Sequence, residues 1–168
     1  MTEVTAPISG PGISDAKFAF VDHDANLDIV ACSADNGGVW IFYGNGAGYW
    51  STGNRPTMTN TYNKLTVHDL NNDSWQDIVA TSAEYLGVHT WYGAADSTGT
   101  AGTPLNEGSA FFGLDVGDID KDGNFDIAAG SDQSAVVSSS IWAMGPGAGH
   151  PWMGRPLPVV SETSSWPI

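Results

Sequence analysis

Asp118, Asp120, Asp122 and Asp126 fall on alternate positions of a nine-residue span, interrupted only at Asn124. Gly123 permits the tight bend that turns their carboxylates toward one point. Clustered carboxylates are the chemistry of a hard cation. Calcium takes about six to eight oxygen ligands and tolerates irregular geometry, so these four side chains and the carbonyl of Asn124 nearly fill its shell. The spacing excludes an EF-hand loop, which needs a bidentate Glu at its twelfth position and a helix on each side. Here Ile127-Ala128-Ala129-Gly130 follows, a short apolar run that reads as a strand.

The elements that must position this loop come as a repeat. Asp28, Asp77 and Asp126 are each followed by Ile and lie 49 residues apart. Pro7 with Pro56, Gly38 with Gly87, and Tyr43-Gly44 with Tyr92-Gly93 keep the same spacing of 49. In the third repeat the register drifts after Ser131, and Ile141-Trp142-Ala143-Met144-Gly145 answers to Val39 through Gly44. Each repeat predicts four short strands. The first is Phe18–Val21, an apolar run suited to burial between neighbours, with counterparts at Leu65–Val67 and Phe111–Leu114. The second is Ile29–Ser33, Ile78–Ser82 or Ile127–Ser131, rich in β-branched and small residues. A Gly-bearing turn leads to a third strand, Val39–Tyr43 or Val88–Tyr92, and a more polar fourth lies near Tyr49–Gly53 and again near Trp152–Pro156. No segment has helical periodicity.

Four antiparallel strands in about 49 residues is the size of one β-propeller blade. The fold class is therefore all-β, with three four-stranded blades in one partial propeller domain spanning 1–168. The repeats run over about 7–55, 56–104 and 105–155, with 1–6 and 156–168 as partial blade ends.

Composition sets the outer limits. A chain of 168 residues with 41% apolar content can bury a core. Its net charge of −14, from 19 acidic against 5 basic residues, argues against nucleic acid and anionic membrane surfaces as partners. Ten of the 19 acids lie in the three loops, so much of the acidity is accounted for as ligand. A single cysteine, Cys32, permits no intrachain disulfide and reads as a small core residue. The first residues have neither a basic start nor an apolar run, so no signal peptide is expected in this sequence, and no run is long enough to span a bilayer.

The pattern Asp-x-Asp-x-Asp-Gly-x-x-Asp-Ile, followed by a small apolar strand, resembles the FG-GAP/VCBS repeat family, the calcium-loop blades of integrin-α-like propellers, over nearly the whole chain. The resemblance implies structural calcium, two to three ions per chain. It places ligands at Asp118, Asp120, Asp122, Asn124 through its carbonyl, and Asp126. In the second loop they are Asp69, Asn71, Asp73, Trp75 through its carbonyl, and Asp77, with Ser74 in the Gly position. In the first they are Asp22, Asp24, Asn26 through its carbonyl, and Asp28, with Phe20 at the opening position and Ala25 in place of Gly. Calcium loops favour an extracellular or cell-surface setting.

Three blades leave two apolar faces to be covered. A homodimer closing a six-bladed ring would cover them, as would the remaining blades of a larger propeller. The expected function is a non-catalytic binding or adhesion module, lectin-like, with Trp50, Trp75 and Trp152 as candidate glycan or protein contacts and Trp40, Trp91 and Trp142 assigned to packing. The alternative is a structural assembly module of a surface array. Hydrolase or lyase chemistry ranks below both. The acids outside the loops, among them Asp15, Asp35, Glu84, Asp96, Glu107, Asp115 and Asp132, form no recognised motif, and the four His, at 23, 68, 89 and 150, share no repeat position.

Overall fold

The computed structural model describes residues 12–131 and 138–142, apart from 83, 85, 96–98, 106–107, 109, 120 and 122. The described residues form eleven strands and no helix. In chain order these are β1 (Ile13–Ala19), β2 (Asp28–Ser33), β3 (Val39–Gly44), β4 (Trp50–Thr52), β5 (Lys64–His68), β6 (Asp77–Thr81), β7 (Val88–Tyr92), β8 (Thr100–Ala101), β9 (Gly113–Gly117), β10 (Asp126–Ser131) and β11 (Ser138–Trp142). They make three antiparallel sheets, ordered β1-β2-β3-β4, β5-β6-β7-β8 and β9-β10-β11. The 49-residue period is visible in three dimensions. Ile29 faces Phe42 across β2 and β3, Ile78 faces Trp91 across β6 and β7, and Ile127 faces Trp142 across β10 and β11.

Two apolar layers hold neighbouring sheets together. Val30, Cys32, Val39 and Ile41 of the first sheet pack against Tyr62, Leu65, Ile78, Ala80 and Trp91. Leu70, Val79 and Val88 pack in turn against Phe111, Ile127 and Ala129. The second sheet thus buries both faces, which is why all five residues of β6 are buried and why its sequence, Asp-Ile-Val-Ala-Thr, shows no polar alternation. Backbone bonds reinforce each junction at matching positions: Tyr62 N–H donates to the Ser33 carbonyl and Phe111 N–H to the Ser82 carbonyl, both at 2.8 Å. Cys32 is fully buried, and burial pushes its thiol pKa up, against the pull of a hydrogen bond with Ser14, so it behaves as an inert core residue.

The first strands of the first and third sheets depart from the sequence expectation, while β5 contains the expected Leu65–Val67. In the first sheet the strand is Ile13–Ala19 rather than Phe18–Val21, and in the third it is Gly113–Gly117 rather than Phe111–Leu114. The apolar run overshoots the strand in the first case and precedes it in the third, because Val21 and Phe111 are fillers of the inter-sheet layers. Phe18 was expected to be buried between neighbours, yet it is 68% exposed. It lies on the face of the first sheet that no other described sheet covers. Its repeat counterparts Val67 and Val116, by contrast, pack into the two layers. The register of β11 sets Trp142 at the position of Phe42, one residue away from the alignment that pairs Gly145 with Gly44. The expected fourth strand near Trp152 lies outside the described residues.

Candidate metal loops and inter-sheet cleft

Each acidic loop joins the first strand of a sheet to the second, and its last aspartate is the first residue of that second strand. Asp28, Asp77 and Asp126 are buried, at 0%, 0% and 2% exposure. The Asp28 carboxylate accepts from Val21 N–H at 2.8 Å and Asp22 N–H at 3.4 Å on one oxygen, and from Gly44 N–H at 2.9 Å on the other. Asp77 repeats this with Leu70 and Gly93, both at 2.8 Å, and Asp126 accepts from Ile119 at 2.8 Å. In the first two loops the final carboxylate is therefore a rivet that fastens the start of the loop to the end of the third strand. It also explains the recurrent Tyr-Gly. A Cβ on Gly44 would sit 2.1 Å from the Leu27 carbonyl oxygen, and one on Gly93 would sit 2.5 Å from that of Gln76. Only glycine lets the backbone come close enough to donate to the aspartate.

The remaining loop oxygens turn onto the loop's own backbone. In the second loop Asp69 accepts from Asp73 and Ser74 N–H at 3.0 and 2.8 Å, Asn71 from Asp73 N–H at 3.1 Å, and Asp73 from Trp75 N–H at 2.8 Å. In the first, Asp22 accepts from Asp24 N–H at 3.1 Å and Asp24 from Asn26 N–H at 2.6 Å. In the third, Asp118 accepts from Gly123 N–H at 3.1 Å, and Asn124 is buried. Asp120 and Asp122 lie outside the described residues. Among the described residues no three His, Cys, Asp or Glu side chains converge as a metal-holding group. The donor set of the second loop nonetheless consists of oxygens, and burial first, with the charges of Asp73 and Asp69 after it, raises the pKa of Asp77. An oxygen-only set under mutual repulsion fits a hard cation.

Backbone shape separates the three loops. His23, Asn72 and Lys121, 49 residues apart, all adopt left-handed conformations with φ of 62°, 58° and 63°. Two positions later Gly123 has φ 91° and Ser74 has φ 73°, so Ser74 carries the conformation that the third loop gives to glycine, at a cost of about 1 kcal/mol. Ala25, at the same place in the first loop, is not left-handed, and that loop takes a different course.

Neighbouring loops touch. The His23 ring stacks on Trp75 with centroids 3.8 Å apart and planes 16° from parallel. Asn72 donates to the Gly123 carbonyl at 3.3 Å, and His68 lies 5.3 Å from Phe125. Trp75, expected as a free aromatic tip, is half-buried by this stacking. Trp91 is core, at 7% exposure, and Trp40 is half-buried beneath the Arg55 guanidinium, 3.4 Å from its ring centre. Trp50 borders a hollow on the uncovered face of the first sheet, together with Phe18, Phe20, Leu27 and Tyr49. Trp152 lies outside the described residues.

Of the acids outside the loops, Asp96, Glu107 and Asp132 lie outside the described residues, and Asp15 and Asp35 serve the scaffold. Asp15 pairs with Lys17 at 3.2 Å and accepts from Leu65 N–H, and Asp35 accepts from Gly12 N–H at 2.8 Å. Ser33 and Ser82 cap matching turns by accepting from the N–H groups of Asp35 and Glu84. Sequence reasoning missed a cleft of about 300 Å3 between the first two sheets, lined by Tyr43, Arg55, Gln76 and Trp91 among others. One signal was available: the Arg55-Pro56 pair becomes Thr103-Pro104 in the second repeat, so the arginine is not a requirement of every blade.

A pH dependence follows from Asp77. Burial lifts its carboxyl pKa from 3.8 to about 6, against the pull of the Gly93 and Leu70 amides, and Asp73 and Asp69 push it further up. The folded state then prefers the protonated acid. The resulting stabilisation is complete below about pH 4 and is lost as pH rises through about 6. Thermal melts in calcium-free buffer should show a midpoint falling across that window, and Asp77→Asn should flatten the fall.

Two overlapping stretches of the chain, residues 21–80 and 69–129, match the family model of the FG-GAP-like repeat. No curated protein and no solved structure matches the chain.

Proposed function

Because this chain belongs to the FG-GAP-like repeat family, we propose that it is a calcium-stabilised β-propeller module that binds a partner and catalyses nothing, working outside the cell or at its surface. The observation that carries the reading is the repeated loop and rivet. Loops built around Asp28, Asp77 and Asp126 keep their other acids on or near the surface while the rivets fix the loop ends. Asp69, Asn71 and Asp73 would hold calcium in the second loop, with the Trp75 carbonyl. Asp118 and the Asn124 carbonyl would do so in the third, with Asp120 and Asp122. Asp22, Asp24 and the Asn26 carbonyl form the weakest set, lacking an opening acid. Bound calcium supplies charge compensation and ties together loops that already touch through His23 and Trp75. The use of Asp35 and Asp15 as acceptors of the Gly12 and Leu65 amides supports a module without catalysis.

The uncovered face of the first sheet supports ring completion by a second copy. Phe18 and Phe20 are 68% and 49% exposed there, whereas the positions that repeat Phe18 in the next two sheets pack against a neighbouring sheet. Two copies meeting head to tail would close six blades. Light scattering of the 17.6 kDa chain in millimolar calcium should give twice that mass, and chelation should shift it toward monomer. A well-folded monomer in calcium would contradict ring completion. The same face also suits an assembly module of an extracellular array. That reading predicts large protein contacts with no response to soluble glycans, whereas a lectin-like module responds in its tryptophan fluorescence.

A further inference from the structure

Both junctions between sheets reuse the same repeat positions. Val21 and Leu70, 49 residues apart, pack into the layers that lead from the first sheet to the second and from the second to the third. Ile119 is next in that series and is 50% exposed. Val30 and Val79 are fully buried in the same two layers, whereas their counterpart Ala128 is only half-buried. The facing wall of the first layer holds Val67 and that of the second holds Val116, and the matching residue of the first sheet is the exposed Phe18. The described residues thus present two unfilled half-layers, one on the first sheet and one on the third. Their sizes are complementary. Each internal layer carries valine on both walls, while the open faces carry a smaller Ala128 and a larger Phe18, an exchange that nearly conserves volume. Phe20, exposed beside Phe18, stands where the second and third loops have Asp69 and Asp118. A contact face accounts for an apolar residue at that place.

The loops follow the same rule. His23 reaches forward onto Trp75, and Asn72 reaches forward onto the Gly123 carbonyl. Lys121 is third in that series, left-handed like the other two, and exposed. The first-loop counterparts of Trp75 and Gly123 are Asn26 and Ala25, next to Asp24. A lysine brought there meets the charges of Asp22 and Asp24, so the two loops are electrostatically complementary.

We propose that the Phe18 face of the first sheet docks on the third sheet of a second copy, with Phe18 over the partner's Ala128 and the partner's Lys121 against the first acidic loop. The proposal rests on the ring-completion reading and gives that ring its register. The junction between copies then repeats the two junctions within the chain, with one size exchange and one charge pair that make it selective for itself.

The test is sedimentation of the full chain over a dilution series in millimolar calcium, for the unaltered sequence, Phe18→Val, Ala128→Val and the double variant. Each single change should weaken the dimer by about tenfold or more, the first by leaving a gap and the second by crowding Phe18. Ala128→Val places at the third sheet the residue that Val30 and Val79 already provide, so the chain itself keeps its fold. The double variant recreates the valine pair of the internal layers and should return the dissociation constant to within about threefold of the starting value. Lys121→Gln should weaken the dimer about fivefold and remove most of its salt dependence. A double variant as weak as its parents would overturn the pairing of Phe18 with Ala128. A dimer indifferent to all of these changes would overturn the register while leaving ring completion intact, whereas a folded monomer at every concentration would overturn ring completion and the register with it.

Discussion

Asp28→Ala should lower the thermal midpoint by about 6–12 °C, measured by circular dichroism in calcium-free buffer. The side chain is fully buried and holds the Val21 and Gly44 amides at 2.8 and 2.9 Å. Truncation leaves both donors without an acceptor, at about 1–3 kcal/mol for each buried group, or about 3 kcal/mol for the pair after water enters the gap. For a chain of this size 1 kcal/mol moves the midpoint by about 2–4 °C. Asp28→Asn retains one acceptor oxygen and should lose about half as much. Asp24→Ala is the contrast. Its carboxylate is exposed and bonds only within the loop, at Asn26, so the same measurement should show a small shift. Equal shifts for Asp24→Ala and Asp28→Ala would mean that the rivet has no special part in the fold.

Phe111→Ala should cost about 3–5 kcal/mol, roughly 10 °C or more in midpoint. Phe111 is 1% exposed and fills the layer between the second and third sheets with Leu70, Val79 and Ile127. Its counterpart Tyr62 does the same one junction earlier. The adjacent Phe112 is 46% exposed, and Phe112→Ala should change stability by less than about 0.5 kcal/mol. Paired urea titrations of the two variants test whether sheet-to-sheet packing carries the stability. Similar midpoints for both would contradict the layer described for Phe111.

Much of this was legible in the sequence because a repeat speaks several times. Second strands beginning at Asp28, Asp77 and Asp126, and third strands ending near Tyr43 and Tyr92, follow from spacing alone. The first strands of the first and third sheets were misplaced by several residues because apolar content does not distinguish a strand from a wedge between sheets: Val21 and Phe111 are both apolar, and both lie outside the strand. The double nature of the final aspartate was hidden as well, since a metal ligand and a backbone acceptor demand the same residue. The glycine 16 residues after Asp28 and Asp77 was the clue, because a glycine locked to an acid at fixed distance signals a close backbone approach. The cleft could not be read from local pattern. It is assembled from Tyr43 and Trp91 on different sheets, and the emptiness of a donor such as Arg55 Nε is a property of packing.

Calcium titration of the chelator-treated full chain, followed by calorimetry with a parallel thermal melt, tests the account at its centre. Saturable uptake of at least two ions per chain is predicted, with the midpoint rising as calcium exceeds the dissociation constant. A site at a hundredfold excess adds about 2.7 kcal/mol. Replacing Asp73 and Asp118 by Ala should remove one ion each. No uptake and an unchanged midpoint in millimolar calcium would show that the loops are closed by their own backbone bonds alone, and would contradict the metal-stabilised module.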